Sequence, residues 1–123
     1  MYNILCTVPI QAFQHACTIL EDVGQVTYIE YPPYETVYNM IEDKHAFIPN
    51  ARTKIDERLL KKAKNLKIIV MPSMGINHID VEACKKYGVK LHYLAQNKEF
   101  IRSIHSTSEY TLGLILNLLK KYQ

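Results

Sequence analysis

The residues of this chain best placed to do chemistry stand at the end of an apolar run, where Pro72-Ser73-Met74-Gly75 follows Ile68-Ile69-Val70-Met71. A glycine at that point lets the backbone turn with positive φ, so that successive amide N–H groups aim at one spot. A carboxylate or a phosphate fits such a nest. A plain strand-to-helix turn that needs glycine for its geometry is the other reading of the same residues. A second loop, Asn50-Ala51-Arg52-Thr53, follows the apolar stretch Ala46–Ile48. Asn50 offers a hydrogen bond to a ligand there. Arg52 offers a charge to an anion, or stands in solvent as an ordinary loop cation.

Other chemistries lack their residues. The five histidines, His15, His45, His78, His92 and His105, show neither i, i+4 pairing nor a neighbouring ligand set, so no metal site is expected. His78-Ile79-Asp80 reads as an acid/base pair or, more plainly, as a locally bonded ring beside a helix cap. Four of the nine tyrosines, Tyr28, Tyr31, Tyr34 and Tyr38, cluster without the basic interleaving of a nucleic-acid stacking platform, and are expected to cover the sheet edge. The four glycines, Gly24, Gly75, Gly88 and Gly113, spell neither G-x-G-x-x-G nor a P-loop, and there is no G-x-S-x-G. No residue receives a catalytic role.

Strands are expected at 3–8, 25–30, 46–48, 67–71 and 90–94, where apolar residues run continuously or alternate. Helical spacing fills the gaps. Residues 12–23 carry an apolar stripe that Gly24 should end as a C-cap, and 34–42 forms a helix after Pro32-Pro33. Asp56 caps 57–64, and Asp80 caps 81–87, which Gly88 stops. Strand and helix in strict alternation imply parallel strands joined by right-handed crossovers. The expected fold is therefore α/β, a flavodoxin-like or half-Rossmann three-layer sandwich on a five-stranded parallel sheet. Ile4-Leu5-Cys6 and Ile68-Ile69-Val70, apolar on both faces, read as central strands covered on both sides.

A chain of 123 residues, 48% apolar and 22% charged, makes one folded domain with a core of its own. The net charge of +3 comes from basic residues scattered among acidic ones, which argues against nucleic-acid binding. Cys6, Cys17 and Cys84 lie within apolar patterns and without C-x-x-C spacing, as buried reduced thiols do. The N-terminus lacks a leader's basic region, and the apolar run at 112–119 is too short to span a bilayer. A cytoplasmic protein is expected. A final helix beginning at Ser106 carries two apolar stripes, Leu112, Ile115, Leu116 and Leu119 on one and Leu114 and Leu118 on the other. One stripe would cover this domain, leaving the second to pack on another domain or subunit.

The run NLKIIVMPSMGINHIDVEACKKYGVKL at 65–91, followed by FIRSIHSTSEYTLGLILNLLK, resembles the N-terminal part of D-isomer-specific 2-hydroxyacid dehydrogenases. Residues 46–120 carry the resemblance through Asn65-Leu66-Lys67, Gly75, Ile79-Asp80, Gly88 and Thr107-Ser108-Glu109, while 1–45 match only in pattern. The resemblance implies a substrate-binding domain over 1–100 and a C-terminal interdomain helix over 101–123, crossing from Arg102 into a nucleotide-binding domain. It places the carboxylate of a small 2-hydroxy or 2-oxo acid on the amides of Met74 and Gly75, with Asn50 and Ala51 beside them. Thr107 matches a position that touches the cofactor, NAD or NADP, which this chain alone is not expected to bind tightly. The family's catalytic Arg, acidic residue and His would lie beyond Gln123, so a truncated or split enzyme, inactive alone, is expected. Asn77 stands where an acidic residue is frequent and Tyr110 where His usually follows the glutamate; both bear on substrate class. The rival reading is a non-catalytic module that homodimerises through 106–122. A receiver-like domain fits less well, since Thr7-Val8-Pro9 replaces the paired acids after the first strand.

Overall fold

Five short apolar runs become five parallel strands, and the helices between them decide which sheet face is dry. The computed structural model describes residues 1–120. In chain order the elements are β1 (Tyr2–Cys6), α1 (Gln14–Val23), β2 (Gly24–Tyr28), α2 (Tyr34–Met40), β3 (Ala46–Ile48), α3 (Glu57–Lys62), β4 (Ile68–Met71), α4 (Val81–Lys86), β5 (Lys90–Tyr93), α5 (Lys98–Ser103) and α6 (Ser106–Lys120). The strands lie in the order β2-β1-β3-β4-β5. Every pairing is parallel, with Leu5 opposite Phe47 and Ile69 opposite Leu91. This is the flavodoxin-like order, and its direction reverses between β1 and β3.

Right-handed crossovers running one way from β1 to β2 and the other way thereafter place α1 on one face and α2, α3 and α4 on the other. Odd-numbered strand residues build the main core: Leu5, Phe47, Ile69 and Met71 pack with Val37 and Ile41 from the α2 segment, Leu59 and Leu60 from α3, and Ala83 and Cys84 from α4. Each such large apolar side chain contributes about 1.5–3 kcal/mol by leaving water. Ile4, Cys6 and Cys17 are also buried but stand apart from that core, under α1. All three cysteines are buried free thiols, and burial pushes Cys6 and Cys84 above the usual thiol pKa.

The helix ends are written locally. Asp56 accepts from the Leu59 N–H at 3.0 Å and Asp80 from the Ala83 N–H at 2.9 Å, each closing an N-terminus as expected. Gly88, at φ 68°, ends α4 with its N–H on Lys85 and the Val89 N–H on Cys84. That pair of bonds satisfies carbonyls left open by the last turn. Gly24 differs from its expected C-cap role. It is extended at φ −179° and begins β2, although its N–H still closes the α1 end on Leu20. A Cβ there would stand 2.1 Å from the Tyr2 carbonyl oxygen, so close strand approach is what demands glycine.

Two expectations about coverage are corrected. β1 is buried on both faces at its centre, but in β4 the even-numbered Val70 is 37% exposed. α1 packs on the β2 side, and that face stays open over β4 and β5, where Val70 and His92 are exposed. α6 also packs neither stripe on the domain: Leu112, Ile115, Leu116 and Leu119 are exposed along with Leu114 and Leu118. The helix expected from Arg102 is interrupted, since α5 ends at Ser103 and α6 restarts at Ser106. The end of the expected 106–122 helix, from residue 121, lies outside the described residues. No described helix is long and apolar enough to cross a membrane.

Candidate functional site

The reversal of strand order between β1 and β3 opens a crevice at the carboxyl ends of the strands, where ligands bind in sheets of this kind. A cleft of about 310 Å³ lies there, formed by Val8 and Pro9 after β1, Tyr31 after β2, Pro49 to Arg52 after β3, and Met71 to Ser73 at the end of β4. Four consecutive strands therefore contribute one wall each. A larger hollow of about 650 Å³ lies beside β5 and includes Val70, His92 and Leu94. It lies between the even-numbered sheet face at Val70 and His92 and the segment from Leu94 to Glu99 that leads into α5.

Asn50 turns inward. It is 4% exposed, and its amide nitrogen donates to the hydroxyls of Thr7 and Thr53, both at 3.1 Å. Its backbone N–H reaches the Thr7 hydroxyl at 2.9 Å, while its Oδ1 accepts from the Arg52 N–H at 2.8 Å. The side chain thus shapes the Ala51–Arg52 turn and has its donors committed. Buried polar groups are costly unless paired, and this network pairs them. Ala51 and Arg52 are exposed on the cleft side of that turn. The Arg52 guanidinium lies 4.9 Å from the centre of the Tyr31 ring.

The loop after β4 is held by a staple. Ile55 and Ile79 form a lone parallel bridge, with Ile55 N–H on the His78 carbonyl and Asp80 N–H on the Ile55 carbonyl, both at 2.8 Å. The Asn50 loop and the 72–77 loop are fixed to each other by it. Within the second loop Ser73 lines the cleft, and Met74 and Gly75 follow it, both exposed. Among the described residues no hydrogen bond uses the N–H of Met74 or Gly75. Gly75 corrects the expectation of a positive φ. Gly88 alone among the described glycines has one, and a Cβ on Gly75 would meet nothing within 4 Å. The turn is instead set by the staple, with the Ser73 hydroxyl on the Gly75 carbonyl at 3.4 Å.

His78 and Asp80 do not assemble as an acid/base pair. The Asp80 carboxylate is spent on the α4 cap, and the His78 Nε2 is buried without a partner, its pKa lowered by burial. Thr107 lies in the exposed first turn of α6. Among the described residues no strand is followed by a glycine-rich phosphate turn, so they do not by themselves fit a dinucleotide. No group of three or more His, Cys, Asp or Glu is arranged among them to hold a metal ion. Sequence reasoning passed over Thr7 and Tyr31. Thr7 drew notice only for lacking acids, although a hydroxyl ending an apolar strand was the available signal; Tyr31 was grouped with edge tyrosines despite standing before Pro32-Pro33.

The architecture defines a flavodoxin-like α/β domain with a cleft at its switch point. Residues 4–97 match the model of the D-isomer specific 2-hydroxyacid dehydrogenase catalytic domain, and the chain belongs to that family. It is 33% identical over 116 residues to a D-3-phosphoglycerate dehydrogenase of Methanocaldococcus jannaschii, covering 94% of this chain and 21% of that relative. The PH0520 protein of Pyrococcus horikoshii superposes with a TM-score of 0.75 at 27% identity, over 98% of this chain and 34% of that one. D-lactate dehydrogenase of Aquifex aeolicus, solved with NAD and lactic acid, gives 0.71 at 25% identity, over 94% and 33%. The chain thus spans about a fifth of that curated relative's length.

Proposed function

We propose that this chain is the substrate-binding part of an NAD-dependent oxidoreductase that acts on the CH–OH group of small 2-hydroxy acids. The observation that carries the reading is the pair of uncommitted amides at Met74 and Gly75, directly beyond β4 and next to the cleft. A carboxylate set there receives two N–H donors, and charge-assisted bonds to an anion are about twice as strong as neutral ones. Ala51 borders the acid on the facing loop, and Asn50 acts beneath it by fixing that loop's shape.

Among the described residues the cleft lining holds no His, Asp, Glu or Lys. It can bind and orient an acid, but no side chain in it can exchange a proton with the substrate hydroxyl near neutral pH. The proton-transferring groups and the NAD or NADP site therefore belong to a nucleotide-binding domain facing the cleft, with Thr107 at the junction. NAD, once bound, supplies the hydride acceptor; this chain's residues supply position. The leucines of α6 pack on that domain. A homodimer through 106–122 is the second reading, favoured by the same exposed stripes, and sedimentation separates the two. Buried free thiols at Cys6, Cys17 and Cys84 accord with a cytoplasmic setting.

The test is to mix the chain with NADH and a panel of 2-oxo acids and follow NADH absorbance. No turnover is expected. Appreciable NADH oxidation would show that the chain carries its own catalytic groups and would overturn this division of labour.

A further inference from the structure

β5 is the last strand of the sheet, so one of its edges has no neighbouring strand. The Lys90 N–H donates to the Lys67 carbonyl at 2.9 Å and the Leu94 N–H to the Ser73 carbonyl at 3.3 Å, which turns the backbone groups of the even-numbered residues toward β4. The residues between them face the other way. Leu91 and Tyr93 therefore direct their N–H and C=O groups out of the sheet, as a strand edge open to pairing does.

One side chain occupies that edge. Gln96, in the short 3-10 turn Leu94–Gln96, accepts from the Tyr93 N–H at 3.2 Å through Oε1 and donates to the Leu91 carbonyl at 3.5 Å through Nε2. The first bond caps the turn; the second reaches past the turn onto the strand. These are the two bonds that one residue of a parallel sixth strand would make, its N–H on Leu91 and its C=O on Tyr93. A side-chain amide, with acceptor and donor side by side, can stand in for that residue. The Leu91 N–H has no partner among the described residues.

Hollows flank the same edge on both sheet faces. The hollow of about 650 Å³ lies beside Val70 and His92, and another of about 390 Å³ lies between β5 and α4, lined by Ile76, Val81 and Leu91. Tyr93 and Gln96 border both. Successive side chains of an added strand point to opposite faces, so they would enter the two hollows in turn. Lys98 borders the first and Lys90 the second, and neither is in an ion pair among the described residues. Their charge suits an acidic occupant.

We propose that the β5 edge docks an extended segment of a partner protein as a parallel sixth strand, apolar along its middle and acidic at its ends, and that Gln96 is the gate it displaces. The site is separate from the cleft and does not depend on what the cleft binds.

The test titrates the full chain with an acetylated and amidated Glu-Val-Leu-Val-Glu peptide and follows the amides by NMR. Saturating shifts are expected at the Leu91 and Tyr93 N–H groups and at the Gln96 side-chain amide. The same peptide N-methylated at two adjacent residues loses a donor on each of its edges and should bind at least tenfold more weakly. Gln96→Ala removes the competing amide and should tighten the unmodified peptide about threefold to tenfold, the worth of a hydrogen bond no longer displaced. Shifts that miss Leu91 and Tyr93, equal binding of the N-methylated peptide, or unchanged or weaker binding by Gln96→Ala would overturn the proposal. So would a dimer of the chain alone, seen in sedimentation, that Gln96→Ala strengthens and the peptide does not dissociate, because the edge would then belong to a second copy.

Discussion

The odd-numbered face of the sheet and the helix α6 are built from the same kinds of apolar residues, yet they end in opposite surroundings. On the sheet, Phe47 and Ile69 are 0% exposed beneath α2, α3 and α4. On α6, Leu118 is 80% exposed and no residue of the helix is buried. Apolar periodicity says which side of an element seeks cover. Whether cover arrives depends on what the crossovers bring over it, and here they bring three helices to one face and one to the other. The described residues thus combine a finished core with an apolar helix and a strip of sheet still open.

The largest effect that separates the two regions is side-chain truncation. Phe47→Ala should lose about 3–5 kcal/mol of stability in urea denaturation, from lost transfer energy and the cavity left behind. Leu118→Ala should stay within about 0.5 kcal/mol. A comparable loss at Leu118 would mean that α6 is packed in solution and would break the contrast. The same substitution at two glycines sharpens it with opposite signs. Gly24→Ala drives a methyl into the Tyr2 carbonyl and should destabilise by about 1–3 kcal/mol. Gly113→Ala meets open space within α6 and should raise its helicity, by about 1 kcal/mol of helix propensity, read by circular dichroism.

A smaller effect comes from His78, whose buried ring has a pKa below its ordinary value of 6.5 in the folded chain. As pH falls through 6.5 the unfolded chain takes up the proton first, so stability is lost there and levels off below the folded pKa. The melting temperature should fall across that window, and His78→Gln should flatten the fall. An unchanged slope in the variant would assign it to other groups.

Much of this was legible in the residues. Asp56, Asp80 and Gly88 act through neighbours three to five positions away, and local spacing suffices to read them. Alternation of strand and helix gave the parallel sheet for a similar reason, because crossover handedness leaves few alternatives. The resemblance of 65–91 pointed to the loop after β4. What escaped depends on residues far apart in the chain. Gly24 answers to the Tyr2 carbonyl in the neighbouring strand, which its place at the end of a helical stripe does not reveal. Asn50 spends its amide on Thr7 across the sheet, and a loop asparagine gives no local sign of that. Tyr31 and Arg52 meet across the cleft, where the Tyr31 N–H and the Asn50 amide both bond to Thr7. Their spacing in sequence says nothing of the contact.

The central claim is that an acid's carboxylate sits on the amides of Met74 and Gly75. Backbone-amide NMR of the chain titrated with pyruvate tests it most directly. The account predicts that the largest, saturating shifts fall on the Met74 and Gly75 N–H groups, with smaller ones at Ser73 and Ala51 and none along α6. Saturable binding that leaves those two amides unmoved, or that maps to the hollow beside β5, would contradict it.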